Sequence, residues 1–549
     1  MKRIILIILF SFFISLPAIL PFFHSGYFPT HDGEWAVVRL ADMFRTLRDF
    51  QIPARYSGNL NFGYGYPLFN FAYPFPYYLG VMLKLLGFGF VDSIKILFAA
   101  SVPLSAFFMF LASRILWRST LAGLVSAIMY VYVPYRMVDL YVRGSIGESL
   151  SFALFPLLFY LVIKLIEKPS YIWGSLTAIS IAILIATHNI MTILFLPVFI
   201  AFIISQIIFN KKKVIKPIIL SIVLGIGISA FFWLPALFEK QYILLSKIPI
   251  ADRSLYFVKL DQFLFPKWGY GVPTDANGFS YQLGLSHLIV LVFTIFVFLF
   301  TIRHSGGPRQ LTGRLQNLYS SFLVISIIIY IFLLFRPSAF LWKHVPLLSE
   351  INYPWTALGI LGFLISLLAG FLSKQVLGRF VMIFLGIIAV VLVLPYAKTQ
   401  YYFDKGDDYY ITNDATTTSS NELMPKWVKE KPIERFKEKV EIVEGAGKVD
   451  NVSYNSKRIT FDALAQKNTE VRVNTIYYPG WNAVVNNQKS EIDYSHEKGV
   501  MEVKVPKGKS KVELKFLETH LRLFADILSA ASILLLLFYV SISRRLKFR

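Results

Sequence analysis

Long apolar stretches recur at residues 4–23, 93–113, 119–136, 149–166, 171–187, 190–209, 217–236, 284–302, 318–335, 356–373, 380–396 and 522–543. A helix of roughly 20 apolar residues crosses the hydrocarbon core of a bilayer. Inside that core every backbone polar group must be paired within the segment, which leaves the helix as the spanning form here. The succession therefore predicts an α-helical polytopic membrane protein with about twelve transmembrane helices. Composition agrees: of 549 residues, 56% are hydrophobic and only 16% charged, where soluble domains carry about 25% charged residues. This argues against a soluble enzyme and against a disordered scaffold. Cysteine is absent, which removes disulfides, thiolate nucleophiles and thiolate metal sites.

The net charge of +22 would suggest nucleic acid in a soluble protein, so its placement matters. The stretch at 67–86 is aromatic and carries Pro67, Pro74 and Pro76. Counting it as a span would reverse the orientation of everything after it. Left out, one face of the membrane gathers Lys2, Arg3, Arg114, Arg118, Lys164, Lys168, Lys211, Lys212, Lys213 and Lys216. The same face takes Arg303, Arg309, Arg314, Lys374, Arg379, Arg544, Arg545, Lys547 and Arg549, with Glu167 as its one acid. The positive-inside rule makes that face cytoplasmic. Residues 67–86 are then expected to be interfacial or re-entrant. Both termini are expected in the cytoplasm of a multi-pass plasma-membrane protein, with Lys2 and Arg3 preceding an uncleaved anchor. Segments 24–92, 137–148, 237–283, 336–355 and 397–521 fall outside, with a short turn at His188. No nucleic-acid partner is needed to explain the charge.

Residues 397–521 break the apolar pattern. Period-two alternation appears at 439–443, 458–461, 470–474, 501–505 and 511–516. Turn residues separate these runs at Gly445-Ala-Gly447, Asn486-Asn487 and Pro506-Lys-Gly508. This predicts a small external antiparallel β-sandwich before the last helix. The expected division is a membrane domain over 1–396 that includes the external loop 24–92, the β-domain over 397–521, and a final helix with a basic tail over 522–549. A β-domain of this kind is as consistent with a packing cap as with a binding module.

The first external segment opens with Pro29-Thr-His31-Asp32-Gly33-Glu34-Trp35. Over 35–50 apolar residues follow at helical spacing, with Arg39, Asp42, Arg45, Arg48 and Asp49 between them, the pattern of a helix that lies in the membrane interface. An acid pair just outside the first span, followed by juxtamembrane helices, resembles the GT-C glycosyltransferases, integral membrane enzymes that use lipid-phosphate-linked sugars. A finer resemblance is to a membrane protein family labelled "6-pyruvoyl-tetrahydropterin synthase-related". Its carriers are Thr30-His31-Asp32-Gly33, Gly65-Tyr66-Pro67-Leu68-Phe69, Arg143-Gly-Ser-Ile-Gly-Glu148 and Thr187-His188-Asn189. Tyr477-Tyr-Pro-Gly-Trp481 looks like the β-domain of related bacterial polytopic glycosyltransferases. Soluble pterin synthases use a zinc site of three histidines. The eight histidines here (24, 31, 188, 287, 304, 344, 496, 520) form no such cluster in sequence, so pterin chemistry is set aside.

The resemblance implies a GT-C-like fold and sugar transfer from a polyprenyl-phosphate donor to an envelope glycan, lipid or protein. Such a reaction needs a base for the acceptor hydroxyl and cationic or hydrogen-bonding groups for the departing phosphate. Asp32 takes the base role by resemblance, or that of a metal ligand if a divalent ion such as Mg or Mn takes part. Direct displacement with a single base would invert the anomeric configuration. Glu34 and Glu148 are the other candidate acids. His31, Arg143, His188, Asn189 and Arg336 are candidate substrate-binding residues. Each has a plainer reading. Asp32 could cap a helix, Arg143 and Glu148 could be a structural ion pair, His188-Asn189 a satisfied turn, and Arg336 part of a solvated loop with Lys343 and Glu350. The aromatic stretch Trp268-Gly-Tyr-Gly-Val-Pro273 could stack on sugar or simply anchor at the headgroups.

Two other functions fit the same pattern. A transporter or flippase of lipid-linked glycans would tend to show internal repeats and polar breaks near mid-membrane, and neither is apparent. A non-catalytic envelope-assembly protein would share the fold without the chemistry. No P-loop or dinucleotide fingerprint is present in the sequence, which fits a lipid-linked donor.

Overall fold

The computed structural model describes residues 2–210, 215–246, 251–272, 274, 278–303, 311–374, 376–418 and 420–547. Lys211, Lys212, Lys213, Pro273, His304, Arg309 and Arg549 lie outside these residues. Each of the twelve apolar stretches forms helix. By length and composition seven are suited to crossing a membrane among the described residues: Lys2–Phe23, Phe90–Trp117, Ile146–Glu167, Asn189–Ile207, Pro354–Leu372, Gly378–Tyr396 and His520–Ser541. The number rises to ten if each of three bent pairs is one span. The apolar helices Tyr171–Thr187 and Leu285–Val297 are shorter. All twelve stretches are helical, and among the described residues seven to ten spans, not twelve, have the length and composition to cross.

Two of the bends have local causes. Thr120–Val131 and Pro134–Arg143 meet at 45°, where Val133 is extended ahead of Pro134. A residue before proline is pushed out of the helical region, and proline supplies no N–H. Leu318–Leu334 and Arg336–His344 meet at 93°, with Phe335 extended ahead of Arg336-Pro337. The stretch 67–86 forms two short helices, Leu68–Phe71 and Phe75–Leu85. The longer, of 11 residues, rises about 16 Å, too little for a full span.

The helix Pro354–Leu372 runs through the centre. Leu358, Ile360, Leu361, Phe363 and Leu364 on all its sides are no more than 1% exposed, as befits a helix that is apolar all round. Peripheral helices instead present apolar side chains outward, such as Leu6 and Phe13 at 65% and 62% exposure, a surface suited to lipid.

The amphipathic stretch forms the helix Gly33–Arg48. Its apolar face does not lie open to a membrane surface. Val37 and Leu40 are fully buried, and Gly80 on Phe75–Leu85 sits so close that a Cβ there would come 2.7 Å from Leu40.

Eight strands follow: β1 Val440–Glu444, β2 Gly447–Tyr454, β3 Arg458–Ala465, β4 Thr469–Ile476, β5 Trp481–Val485, β6 Gln488–Ser490, β7 Val500–Val505 and β8 Gly508–Phe516. They form a three-stranded sheet β1-β4-β7 and a five-stranded sheet β2-β3-β8-β5-β6, with every pairing antiparallel. The five alternating runs match β1, β3, β4, β7 and β8. Asn486 and Asn487, both at positive φ, make the tight turn between β5 and β6, where two left-handed residues match the twist of the strands.

The β-region is tied to the first loop. Tyr56 Oη donates to the Ile476 carbonyl at 2.8 Å, and Ile476 N–H donates to the Tyr64 carbonyl at 2.8 Å. A buried carboxylate, Glu239, gathers Asn70, Tyr478, Thr519 and Arg522 around its two oxygens. It joins the first loop, the Tyr477-Tyr-Pro-Gly-Trp481 motif and the last helix.

Candidate functional site

Two backbone hydrogen bonds dock the first loop on the turn after Pro134–Arg143. His31 N–H donates to the Val142 carbonyl at 2.9 Å, and Asp32 N–H to the Arg143 carbonyl at 2.8 Å. The chain at Asp139–Arg143 is a single π turn, closed by Gly144 N–H on the Asp139 carbonyl at 2.9 Å. Gly144 has φ +66°, and a Cβ there would lie 2.2 Å from Thr30 Oγ1. Glycine is required on both counts. A Cβ on Gly33 would likewise meet Tyr27 Oη at 2.2 Å. The conspicuous glycines of the two motifs thus exist to press these loops together.

The helix Gly33–Arg48 is capped by Thr30, whose Oγ1 accepts from Gly33 N–H at 3.0 Å. Asp32 makes no side-chain cap bond, so its carboxylate is left for other work. Arg143 Nη2 stands 3.9 Å from Asp32 Oδ2, and Arg143 Nη1 pairs with Glu148 Oε2. Tyr135 Oη donates to Glu148 Oε1 at 2.5 Å. Exposure is graded across the three charges: Asp32 39%, Arg143 12%, Glu148 none. The guanidinium lies 4.5 Å over the Trp355 ring. Trp355 packs on Phe279 at 4.8 Å and Tyr353 at 5.5 Å. Its indole N–H is buried without a partner among the described residues.

His31 lies 6.0 Å from the Phe279 ring and 3.4 Å from the Tyr270 carbonyl. Burial first, and the Arg143 charge second, push its pKa below the usual histidine value. His31 is therefore neutral at pH 7. His188 packs on Tyr73 at 4.9 Å and closes on Gly147, where a Cβ would lie 2.9 Å from the imidazole. Its Nδ1 accepts from Met191 N–H at 3.2 Å.

The structure thus brings together Asp32, His31, Arg143, Glu148 and His188. Glu34 is turned elsewhere: Lys405 Nζ reaches it at 2.9 Å and Tyr410 Oη at 3.2 Å. Asn189 is exposed, and among the described residues its side chain accepts from the neighbouring Ile190 N–H at 3.1 Å. Arg336 is exposed at the sharp bend, and its side chain makes no hydrogen bond or ion pair among the described residues. Tyr135 and Trp355 are the site members that sequence reasoning missed. Both look like ordinary interfacial aromatics in an apolar chain.

A divalent ion at Asp32 is not supported by the donors around it. Among the described residues no three of His, Asp and Glu converge as metal ligands. The nearest charged neighbour of Asp32 is a guanidinium, Glu148 is already paired with that guanidinium, and Glu34 is paired with Lys405.

Residues 69–402 match the family described as 6-pyruvoyl-tetrahydropterin synthase related domain, membrane protein. The chain belongs to this family. The match takes in Arg143, Glu148, His188 and Trp355, while Asp32 precedes it. Residues 428–527 match the bacterial membrane protein YfhO. An uncharacterized protein of Lactococcus lactis subsp. cremoris (strain MG1363) is 26% identical over 323 residues, covering 57% of this chain and 52% of that protein. The chain thus spans about half the length of this relative. Among solved structures, the mycobacterial arabinofuranosyltransferase AftD aligns with TM-score 0.43 and 13% identity, over 72% of this chain and 26% of AftD. The oligosaccharyltransferase AglB of Archaeoglobus fulgidus, in complex with an inhibitory peptide and a dolichol-phosphate, aligns with TM-score 0.42 and 13% identity, over 72% of this chain and 55% of AglB.

Proposed function

We propose that this membrane protein is a glycosyltransferase that moves a sugar from a polyprenyl-phosphate donor to a cell-envelope acceptor on the external face. One observation carries the reading: an uncapped, half-exposed carboxylate faces a guanidinium that is fixed on an aromatic ring at the end of a membrane helix. A lipid-linked donor arrives sideways from the bilayer, and the boundary is where its phosphate and sugar would sit.

In this reading Asp32 takes the proton of the acceptor hydroxyl. The acceptor oxygen bonds the anomeric carbon as the carbon–oxygen bond to phosphate breaks. The phosphate leaves with the electron pair and rests on Arg143. One displacement inverts the anomeric carbon. Glu148 is a positioning residue: with Tyr135 it holds one edge of the guanidinium and leaves the other toward Asp32. His31, neutral at pH 7, offers hydrogen bonding beside the base without competing for the phosphate's charge. Tyr353, half-buried beside Trp355, supplies a ring on which a sugar face can rest. The one-sided distribution of basic residues supports an arrangement with both termini in the cytoplasm and this site and the β-region outside.

The test is release of free polyprenyl phosphate. Purified protein in lipid receives mixed polyprenyl-phosphate sugars and envelope lipid extract, followed by mass spectrometry. Time-dependent release that requires the protein is expected. No release across a range of donors would turn the assignment toward transport or assembly.

A further inference from the structure

The helix that begins at Asp32 ends at a second polar site. A cleft of about 360 Å³ lies between its last turns and the chain just after β2. Two side chains form the floor. Asp42 and Thr46 are 2% and 1% exposed; the Ser57 hydroxyl stands beside the Asp42 carboxyl, while Asp42 Oδ2 and Thr46 Oγ1 have no hydrogen-bond partner among the described residues. Buried polar atoms are almost always paired, and an unpaired one is costly. A floor of two such atoms under an open cleft suits a ligand that brings hydroxyl groups.

The walls fit the same chemistry. Arg45 and Arg48 come from the helix, and Arg435 from across the cleft. Arg435 is braced by Asp414 at 2.9 Å, and Asp49 by the Ser456 N–H at 2.9 Å, so both are fixed in place. At the rim the Tyr454 ring is 48% exposed. Guanidinium donors and carboxylate acceptors line one space. A sugar hydroxyl both donates and accepts, so it satisfies such a wall. A bare phosphate would meet the arginines but be repelled by Asp42 and Asp49, and an apolar ligand would leave all of these groups unpaired.

We propose that this cleft is a saccharide-binding site, with Asp42 and Thr46 accepting and donating at its floor and Tyr454 as the ring that stacks on the sugar. Its distance from Asp32 is that of an oligosaccharide: ten to seventeen residues of helix rise about 15–25 Å. Under the transferase reading the bound saccharide is the body of an acceptor whose growing end reaches Asp32. Binding itself stands without that reading.

The experiment uses the full chain in lipid nanodiscs. The probes are linear tetrasaccharides of glucose, mannose, galactose and rhamnose, with inorganic phosphate as the competitor, read by saturation-transfer NMR and titration calorimetry. At least one tetrasaccharide is expected to bind, and Asp42→Asn and Thr46→Val each to weaken it at least tenfold. Tyr454→Ala, at an exposed position that does not threaten folding, should weaken it equally. The proposal is overturned if no tetrasaccharide binds, if Tyr454→Ala and Asp42→Asn bind unchanged, or if phosphate alone displaces the sugar. Binding without polyprenyl phosphate release would sink the transferase reading and leave this one standing. Release without binding would do the reverse.

Discussion

Arg143 approaches Asp32 to 3.9 Å with one terminal nitrogen while the other is held by the fully buried Glu148. One cation thus serves two carboxylates of unequal exposure. In the proposed reading the outer carboxylate is the one that meets the substrate. If a donor phosphate takes up the outward side of the guanidinium, Asp32 is released toward the acceptor.

Arg143→Lys tests this division of labour. An ammonium can neutralise Glu148 but cannot hold two carboxylates in a planar fork or stack on Trp355 in the same way. Transfer is expected to fall about 10²–10³-fold with the fold retained. Arg143→Ala strands the Glu148 charge and should cost about 3–5 kcal/mol. Adding Glu148→Gln should recover part of that loss, since the stranded charge is removed. Thermal unfolding in nanodiscs measures all three, and equal melting of Arg143→Ala and the double variant would refute the shared-cation account.

Gly144→Ala should impair the site more than the fold. Its positive φ costs a side-chain residue about 1–2 kcal/mol, and the added carbon would collide with Thr30 Oγ1. Thr30 must then move, and it caps the helix that carries Asp32. The expected result is a melting loss of modest size with transfer reduced far more than the loss of folded protein explains. Transfer at the wild-type rate would show that the close approach of the two loops is unimportant.

These relationships were partly legible in the chain. Thr30-His31-Asp32-Gly33 and Arg143-Gly144 stand out as motifs, because polar residues and glycines are conspicuous between apolar spans. Their meeting was not legible, since it depends on a π turn and on the bend at Pro134. Glu34 looked equal to Asp32 in sequence, one residue apart from the same glycine. Helical rotation separates them and gives Glu34 to Lys405, which lies far along the chain. The strands β2, β5 and β6 escaped notice because they are short or solvent-facing, with charged or asparagine-rich stretches that blur alternation. Glu239 gave no signal at all: its four partners come from three separate segments.

Lys439 predicts a pH dependence. Its amine is buried, donating to the Gly63 carbonyl at 2.8 Å and the Asn474 carbonyl at 2.7 Å. Burial, aided by the Arg435 charge, lowers its pKa from 10.5 to about 7. A neutral amine still has two N–H groups for these two carbonyls. Between about pH 7 and 10.5 the unfolded chain holds the proton that the folded chain has lost. Raising pH through that window therefore favours the folded state. Lys439→Met lacks the titrating group, so wild type should gain melting temperature relative to it from pH 7 to pH 9. A difference that stays flat or shrinks would mean that the amine is buried in its charged form.

The central claim is that Asp32 is the base. Wild type, Asp32→Asn and Glu34→Gln would be compared in lipid for release of free polyprenyl phosphate by mass spectrometry. Asparagine keeps the size of Asp32, and the helix cap belongs to Thr30, so folding should be unchanged. Asp32→Asn is expected to lose release about 10²–10⁴-fold with an unaltered melting curve, while Glu34→Gln retains it. Equal release by Asp32→Asn and wild type would contradict the account and move the base to another acid.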